Sequence, residues 1–565
     1  MKPIRLLLFL CFVFLGIARF AIAASFRPSI HSQTRIDTSK QSIRDYVQAF
    51  GRYGDHVYQW VVDLDSVPSN NTSHQRKAFL WIPPHCKQVK GIIVSGHNMI
   101  EEGILEDSLF RTEMSKLDFA ELWVTPDFAD GGVFDVSKGA EKGFLEAVNK
   151  LADISGYDEV RFAPVVYLSH SAQASNPWNF GAWNPERTLA MISYHGDSPR
   201  SSYLCCNHFN PDWGDRNIDG IPGLICVGSK EFNEFRIEDS FRFMRQYPNS
   251  LISFLCNAGR GHIDFSEEDL RYLIRFIQKA AQYRMPEVWD GKNLMNLKKL
   301  SRSDGWAADR WHKDAKPASV TNLYNSYHGP KDSCYWYFDE EMARWTESIY
   351  TRERGKKLQY LTMMQNGKIL KPGEPLNFVT DGKNMIVCAK TVFTDSCYTR
   401  LSGKHTIEPV WVKRICGPAQ ILNDSTFSLK FYRPGPSLGD MGGILMFAFA
   451  ESDMSYGHVG CPISWNIRWL TEGEKQYIKF PKVNNVKLGT PYIKLLATSD
   501  SGLPVQYYIQ NGPAVVDGNN LIFTDVPEKA KLPIEVTVVA YQYGSMVNPK
   551  IQTASPVKQS FYILR

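Results

Sequence analysis

The chain is short of the features that mark most metal, cofactor and nucleic-acid chemistries. None of its 11 cysteines stands in a C-x-x-C pair and no paired-histidine motif accompanies them, so no zinc or other metal site is expected. No G-x-G-x-x-G follows a strand-like run and there is no phosphate loop; no cofactor is expected. Lys and Arg number 64 against 59 Asp and Glu, a net charge of only +5, and no basic tract gathers that charge into a surface for nucleic acid. Past the N-terminal segment no apolar run is long enough to span a membrane.

What is present fits a soluble-type globular chain of several domains. The 565 residues are 43% apolar and 22% charged. Aromatic residues reach 13%, which suits either sugar-stacking surfaces or large β cores. Lys2 and Arg5 precede an apolar stretch from Leu6 to Ile17, and Ala21-Ile22-Ala23 offers small residues for cleavage. This pattern predicts a signal peptide over 1–23 and a secreted or periplasmic mature chain; Arg19 argues against an uncleaved anchor. Disulfides are then permitted: Cys388 and Cys397 could close a hairpin-sized loop and Cys205 and Cys206 are adjacent, whereas Cys226 and Cys256 sit in apolar runs and are expected as buried free thiols. Asn70-Asn71-Thr72-Ser73 holds glycosylation sequons that matter only in a eukaryotic host.

From Gln75 to Leu270 strand-like and helix-like segments alternate. KAFLWIPP, KGIIVSGHN, FAELWVTPDF, APVVYLSHS, TLAMISYHGD, GLICVGSKE and SLISFLCNAG read as strands, most of them continuously apolar. The run VSKGAEKGFLEAVNKLADISG has helical spacing, with Phe144, Val148 and Leu151 on one face and Gly156 as a stop. SFRFMRQY and SEEDLRYLIRFIQKAAQY are further helices. Apolar strands separated by helices predict an α/β domain over 24–285, a mostly parallel sheet covered on both faces. Residues 286–355, rich in Trp, Asp, Lys and Arg, are expected to pack on it. From 356 to 480 short strands with turn signals predict a β-rich domain, and 481–565 reads as one small β-sandwich resembling the immunoglobulin-like modules of many secreted enzymes.

The segment VVYLS-H-S-A-Q-A places Ser171 after a strand and before a helix, with the small Ser169 two residues ahead and Gln173 two residues behind. CNAGRGHIDFSEEDL places Gly261-His262 between the last strand and a long amphipathic helix. GLICVGSKEFNE places Glu231 just past the strand before that one. A serine hydroxyl is a weak nucleophile and needs a base, a group that orients the base, and donors for the oxyanion.

In this order the segments from Lys77 to Tyr283 resemble an α/β-hydrolase domain. The departure is Gln173, where that family usually has Gly. The resemblance implies Ser171 as nucleophile, His262 as base and Glu231 as the acid, with Asp197 and Glu234 as rival acids. It implies an oxyanion hole from the amides of Ala172 and Asn98, or His97 in place of Asn98. His97, Arg260 and Gln173 are candidate substrate contacts, Arg260 for a substrate carboxylate. Trp178 and Trp183 either line the pocket or pack in the core. Through WNPERTLAMISYHGD, GWAADRW, YWYFDEEMA and the sandwich end, the whole chain resembles secreted multi-domain esterases of polysaccharide-degrading bacteria. That likeness implies a polysaccharide or oligosaccharide ester as substrate; the basic balance and Arg260 put methyl esters of an acidic glycan such as pectin ahead of acetyl esters. Two other readings share these residues: a serine peptidase on the same fold, and a glycan-binding protein without turnover, which Gln173 keeps open.

Overall fold

The computed structural model describes residues 57–67, 75–202, 208–264, 266–312, 315–432 and 444–565. The leader expected over 1–23, the sequons at Asn70 to Ser73 and the Cys205-Cys206 pair lie outside the described residues.

Eight strands form the main sheet: β1 (Trp60–Leu64), β2 (Arg76–Trp81), β3 (Gly91–Gly96), β4 (Phe119–Thr125), β5 (Val165–His170), β6 (Thr188–Tyr194), β7 (Pro222–Gly228) and β8 (Leu251–Asn257). Their order is β1-β2-β4-β3-β5-β6-β7-β8. β2 runs antiparallel to β1 and β4, and every other pairing is parallel. β3 to β8 are buried at every position, which is why their sequences are continuous apolar runs with no alternation. Parallel strands deliver their C-terminal ends to one edge, so the loops after β3, β5, β6, β7 and β8 converge there.

Seven α-helices are described: α1 (Ile100–Leu105), α2 (Ser108–Lys116), α3 (Ala140–Ser155), α4 (Asn176–Trp183), α5 (Glu234–Gln246), α6 (Glu267–Arg284) and α7 (Glu340–Thr351). α3 buries Phe144, Ala147, Val148 and Leu151 on one stripe and stops at Gly156, whose φ of 80° suits a residue without a Cβ. α6 starts from a reciprocal capping box between Ser266 and Asp269 and buries Leu270, Leu273, Phe276 and Ile277 against the sheet. Each such side chain contributes about 1.5–3 kcal/mol on burial. The sequence pattern passes over β1, α1 and α2. The last two are 6 and 9 residues long, too short to display a helical period.

Residues 286–355 supply a three-stranded sheet and α7. Tyr337 and Tyr350 both donate to the carbonyl of Phe254 on β8, at 2.7 and 2.9 Å, and Tyr335 shares a 2.6 Å bond with Ser240 on α5. This segment therefore caps the β8 edge. The following region holds small antiparallel sheets around a core that includes Phe427, Met446 and Trp465. The C-terminal region has a four-stranded and a three-stranded sheet whose Leu521, Phe523, Val536 and Phe561 share one buried cluster, an arrangement compatible with a β-sandwich. Cys226 and Cys256 are buried free thiols, while Cys388 and Cys397, candidates for a bridge, are exposed and unbridged. Among the described residues no helix is long and apolar enough to cross a membrane.

Candidate active site

Ser171 stands at the exit of β5. Its φ of 54° lies in the left-handed region that L-residues rarely adopt, so the chain turns sharply into a 3₁₀ turn, Ser171–Gln173, and then α4. The strain is held from several sides. Glu101 Oε1 on α1 accepts the His170 N–H at 2.7 Å, and Asn98 Nδ2 donates to the His170 carbonyl at 2.6 Å. His170 Nε2–H donates to the carbonyl of His262 at 2.7 Å, tying the β5 and β8 loops together. Burial, reinforced by the neighbouring His262 and His195, holds His170 well below the usual imidazole range and keeps it neutral.

Ser171 Oγ lies 2.6 Å from His262 Nε2, and His262 Nδ1 lies 2.6 Å from Glu231 Oε2. Glu231 sits immediately past β7, where its own N–H bonds back to the Gly228 carbonyl at 3.0 Å. Gly228 is needed there: a Cβ would meet the Arg260 carbonyl at 2.7 Å, so only glycine lets the β7 and β8 loops approach. Burial alone would push the Glu231 carboxyl up, but the charges and hydrogen bonds of His262 and His195 outweigh it and hold the group well below the carboxylate range. An ionised Glu231 keeps His262 in the Nδ1–H tautomer, leaving Nε2 to take a proton from Ser171. The amide of Ala172 heads the 3₁₀ turn, where a first-turn N–H has no acceptor inside the turn, beside the position an oxyanion would take.

The structure brings Ser171, His262 and Glu231 into one hydrogen-bonded chain and separates the rival acids from it. Glu234 is exposed and pairs with Arg310. Asp197 is buried, with its carboxylate 3.5 Å from Arg236 and its carbonyl accepting from Trp178 Nε1 at 2.9 Å. Asn98 lies in the loop after β3, where its side-chain amide brackets the turn at Ser171 through the His170 carbonyl. His97 is half-buried, bonded through Nδ1 to Thr125 Oγ1 at 2.8 Å, with its ring 5.1 Å from that of Trp123. Gln173 turns inward over Gly96, its Nε2 3.4 Å from Asp127 Oδ2, so the long side chain is accommodated inside the domain and lines no open surface. Arg260 corrects the expectation of a substrate contact: it is 1% exposed and its guanidinium lies 3.6 Å from Glu451 of the β-rich region. Trp178 is in the core, against Gly223, and Trp183 packs on Phe134, Phe144 and Phe180.

Sequence reasoning missed five residues. His195, in ISYHGD, donates to the second oxygen of Glu231. His170 and Glu101 hold the turn at Ser171. Asp127 is fully buried beside Gln173, and its carboxyl is pushed up to about 7 by burial. His208 donates through Nδ1 to the Ala172 carbonyl at 2.9 Å. For His195 and Asp127 the advance signal was position, each lying just past a strand end; His170 ends β5, Glu101 lies on α1, and His208 lies far along the loop after β6, where no local signal marks it.

The β-rich region reaches three of these loops. Arg414 bonds Glu102 at 2.8 Å and Glu106 at 2.6 Å, and Lys413 bonds Asp107 at 2.9 Å, gripping α1 and its exit. Lys230 donates to the His458 carbonyl at 3.1 Å, and Arg260 faces Glu451.

His195, Glu231 and His262 are also the group among the described residues whose metal-type donor atoms fall within 4.8 Å of one another. Their spacings of 2.6 Å are those of hydrogen bonds between imidazole N–H and carboxylate.

No family model matches the chain, and no curated protein matches it. Solved structures do. A truncated carbohydrate esterase from gut microbiota aligns with 10% identity and a TM-score of 0.28, covering 41% of this chain and 99% of that one. Est1E from Butyrivibrio proteoclasticus aligns with 15% identity and a TM-score of 0.26, covering 40% and 99%. A soluble variant of monoglyceride lipase from Saccharomyces cerevisiae aligns with 11% identity and a TM-score of 0.27, covering 40% and 98%.

Proposed function

We propose that the protein is a serine carboxylic-ester hydrolase of the α/β-hydrolase type. The observation that carries the reading is the continuous chain from Ser171 Oγ through His262 to Glu231, each link 2.6 Å, on loops at the C-terminal edge of a mostly parallel sheet. Ser171 attacks the ester carbonyl as His262 Nε2 takes its proton. The oxyanion sits at the amide of Ala172, with the 97–98 loop as the second donor. The imidazolium, stabilised by Glu231, returns the proton to the leaving alcohol, and water repeats the sequence to free the acid.

The proposed substrate is an ester on a plant cell-wall polysaccharide such as pectin, met outside the cell or in the periplasm after loss of residues 1–23. Methyl esters stand ahead of acetyl esters. With Arg260 buried against Glu451, this preference rests on the sequence resemblance and the mild positive charge. His97 is the proposed substrate contact at the mouth.

The test is ester hydrolysis by the mature chain beside Ser171→Ala, on methyl-esterified pectin, acetylated xylan and a chromogenic acetate. Methanol release lost in the variant supports both mechanism and substrate. Acetate release lost in the variant keeps the mechanism and replaces the substrate. Activity that survives Ser171→Ala overturns the nucleophile assignment.

A further inference from the structure

The carboxylate of Glu231 is shared by two imidazoles. Oε2 meets His262, and Oε1 accepts from His195 Nδ1 at 2.6 Å and from the Gly228 N–H at 3.3 Å. His195 occupies an unusual place: its side chain is fully buried, and its φ of 45° is a left-handed conformation for a residue with a ring. A fold that accepts such a backbone angle at a non-glycine position usually gains something by it, because the strain costs on the order of 1–3 kcal/mol. What this angle does is turn the imidazole from the end of β6 toward the β7 loop.

We infer that His195 is a positioning residue for the reaction, a fourth member of the Ser171–His262–Glu231 chain that acts through the carboxylate and never touches substrate. This rests on the hydrolase reading above. Against a carboxylate acceptor, His195 Nδ1 carries the proton; Nε2 is buried with no hydrogen-bond partner, so the ring makes its polar bond through Nδ1–H alone. That bond fixes the rotation of the carboxylate about its last torsion, which is otherwise broad. With Oε1 pinned by His195 and the Gly228 amide, Oε2 is the oxygen left for His262, and the base is held in the tautomer that faces Ser171. The groups around His195 are His262 and His170, with ring centres 6.2 and 6.1 Å away, Tyr194 at 4.5 Å, and the Asp197–Arg236 pair, Asp197 on the same loop and Arg236 on α5.

The test uses a fluorophosphonate probe, which reads activation of Ser171 without knowledge of the natural ester. The second-order labelling rate is measured from pH 5 to 9 for the full mature chain and for His195→Phe, which keeps a ring and loses the donor. His195→Asn keeps a donor near the position of Nδ1, and Glu231→Gln is combined with His195→Phe. His195→Met serves as the donor-free variant if the Phe variant does not fold, judged by circular dichroism. The expected loss in His195→Phe is about 10- to 100-fold, the worth of one hydrogen bond to a charged group. The Asn variant should recover most of it, and the acid limb of the pH profile should move in Phe and not in Asn. In the Glu231→Gln background, His195→Phe should change the rate by less than about twofold, since its target is gone. Wild-type rate and pH profile in a folded donor-free variant overturn the proposal, as does an equal loss in Phe and Asn. The same factor persisting without Glu231 overturns it too. No labelling of the wild type, or equal labelling of Ser171→Ala, is the separate failure of the hydrolase reading, and the proposal falls with it.

Discussion

Arg414 offers a demanding test of how the loops around Ser171 are held. Its guanidinium, 12% exposed, bonds Glu102 at 2.8 Å and Glu106 at 2.6 Å, and these carboxylates are 6% and 5% exposed. The group also lies 4.6 Å from the Tyr432 ring centre. Arg414→Met keeps much of the aliphatic bulk and strands two buried carboxylates. Breaking a buried pair from one side costs about 3–5 kcal/mol, because the remaining charge has no partner. That is a large share of a typical stability of about 5–15 kcal/mol. Removing the charges together avoids the penalty, so Glu102→Gln and Glu106→Gln added to Arg414→Met should recover more than half of the loss. Urea unfolding followed by tryptophan fluorescence measures the stabilities. Fluorophosphonate labelling across the same urea series reports the site, because Glu102 adjoins Glu101, whose carboxylate holds the His170 amide. Labelling should fail at lower urea in the single variant than in the triple. A single variant within about 0.5 kcal/mol of wild type, or a triple variant no more stable than the single, refutes the reasoning.

Further outcomes follow from other buried contacts. Burial raises the Asp127 carboxyl to about 7 in the fold from an ordinary 3.8, so the folded state binds more protons than the unfolded one between those values. Asp127 stability is therefore present below pH 4 and lost as pH rises through 7. Asp127→Asn should gain stability relative to wild type on going from pH 5 to pH 8, by at most about 3 kcal/mol, read from thermal midpoints at both pH values. Gly223→Ala drives a Cβ into the rigid six-membered ring of Trp178 and should cost about 1–3 kcal/mol in urea unfolding. Gln173→Ala removes an inward-facing amide beside Asp127 and should cost about 1–2 kcal/mol while labelling of Ser171 stays within about threefold; a hundredfold loss of labelling would give Gln173 a direct part in the chemistry.

Much of the sheet was readable because strands buried on both faces are written as unbroken apolar runs, as in Leu251–Asn257 and Pro222–Gly228. The order of Ser171, Glu231 and His262 along those strands was readable too, because each sits one short loop beyond a strand end. The brackets around them were not. His195 pairs with a residue 36 positions away and Glu101 with one 69 positions away, and a histidine or glutamate at a strand exit looks the same in sequence whether it holds a catalytic loop or faces water. Arg260 shows the opposite error. Its place two residues before His262 suggested a contact with a substrate carboxylate, but its surroundings are set by Glu451, on a part of the chain that local pattern does not connect to it.

The contacts of Lys230 with His458 and of Arg260 with Glu451 also bear on the order in which the protein is made. Ribosomes extend the chain from the N-terminus, so the residues that flank Glu231 and His262 emerge well before the segment that anchors them. At about 5–20 residues per second the interval is on the order of 10–40 s. During that time the sheet can pair and its core can close, while the loops at its edge still lack their outer supports. On the proposed reading, a ribosome-bound chain stalled before residue 410 should label with fluorophosphonate far more slowly than the released protein.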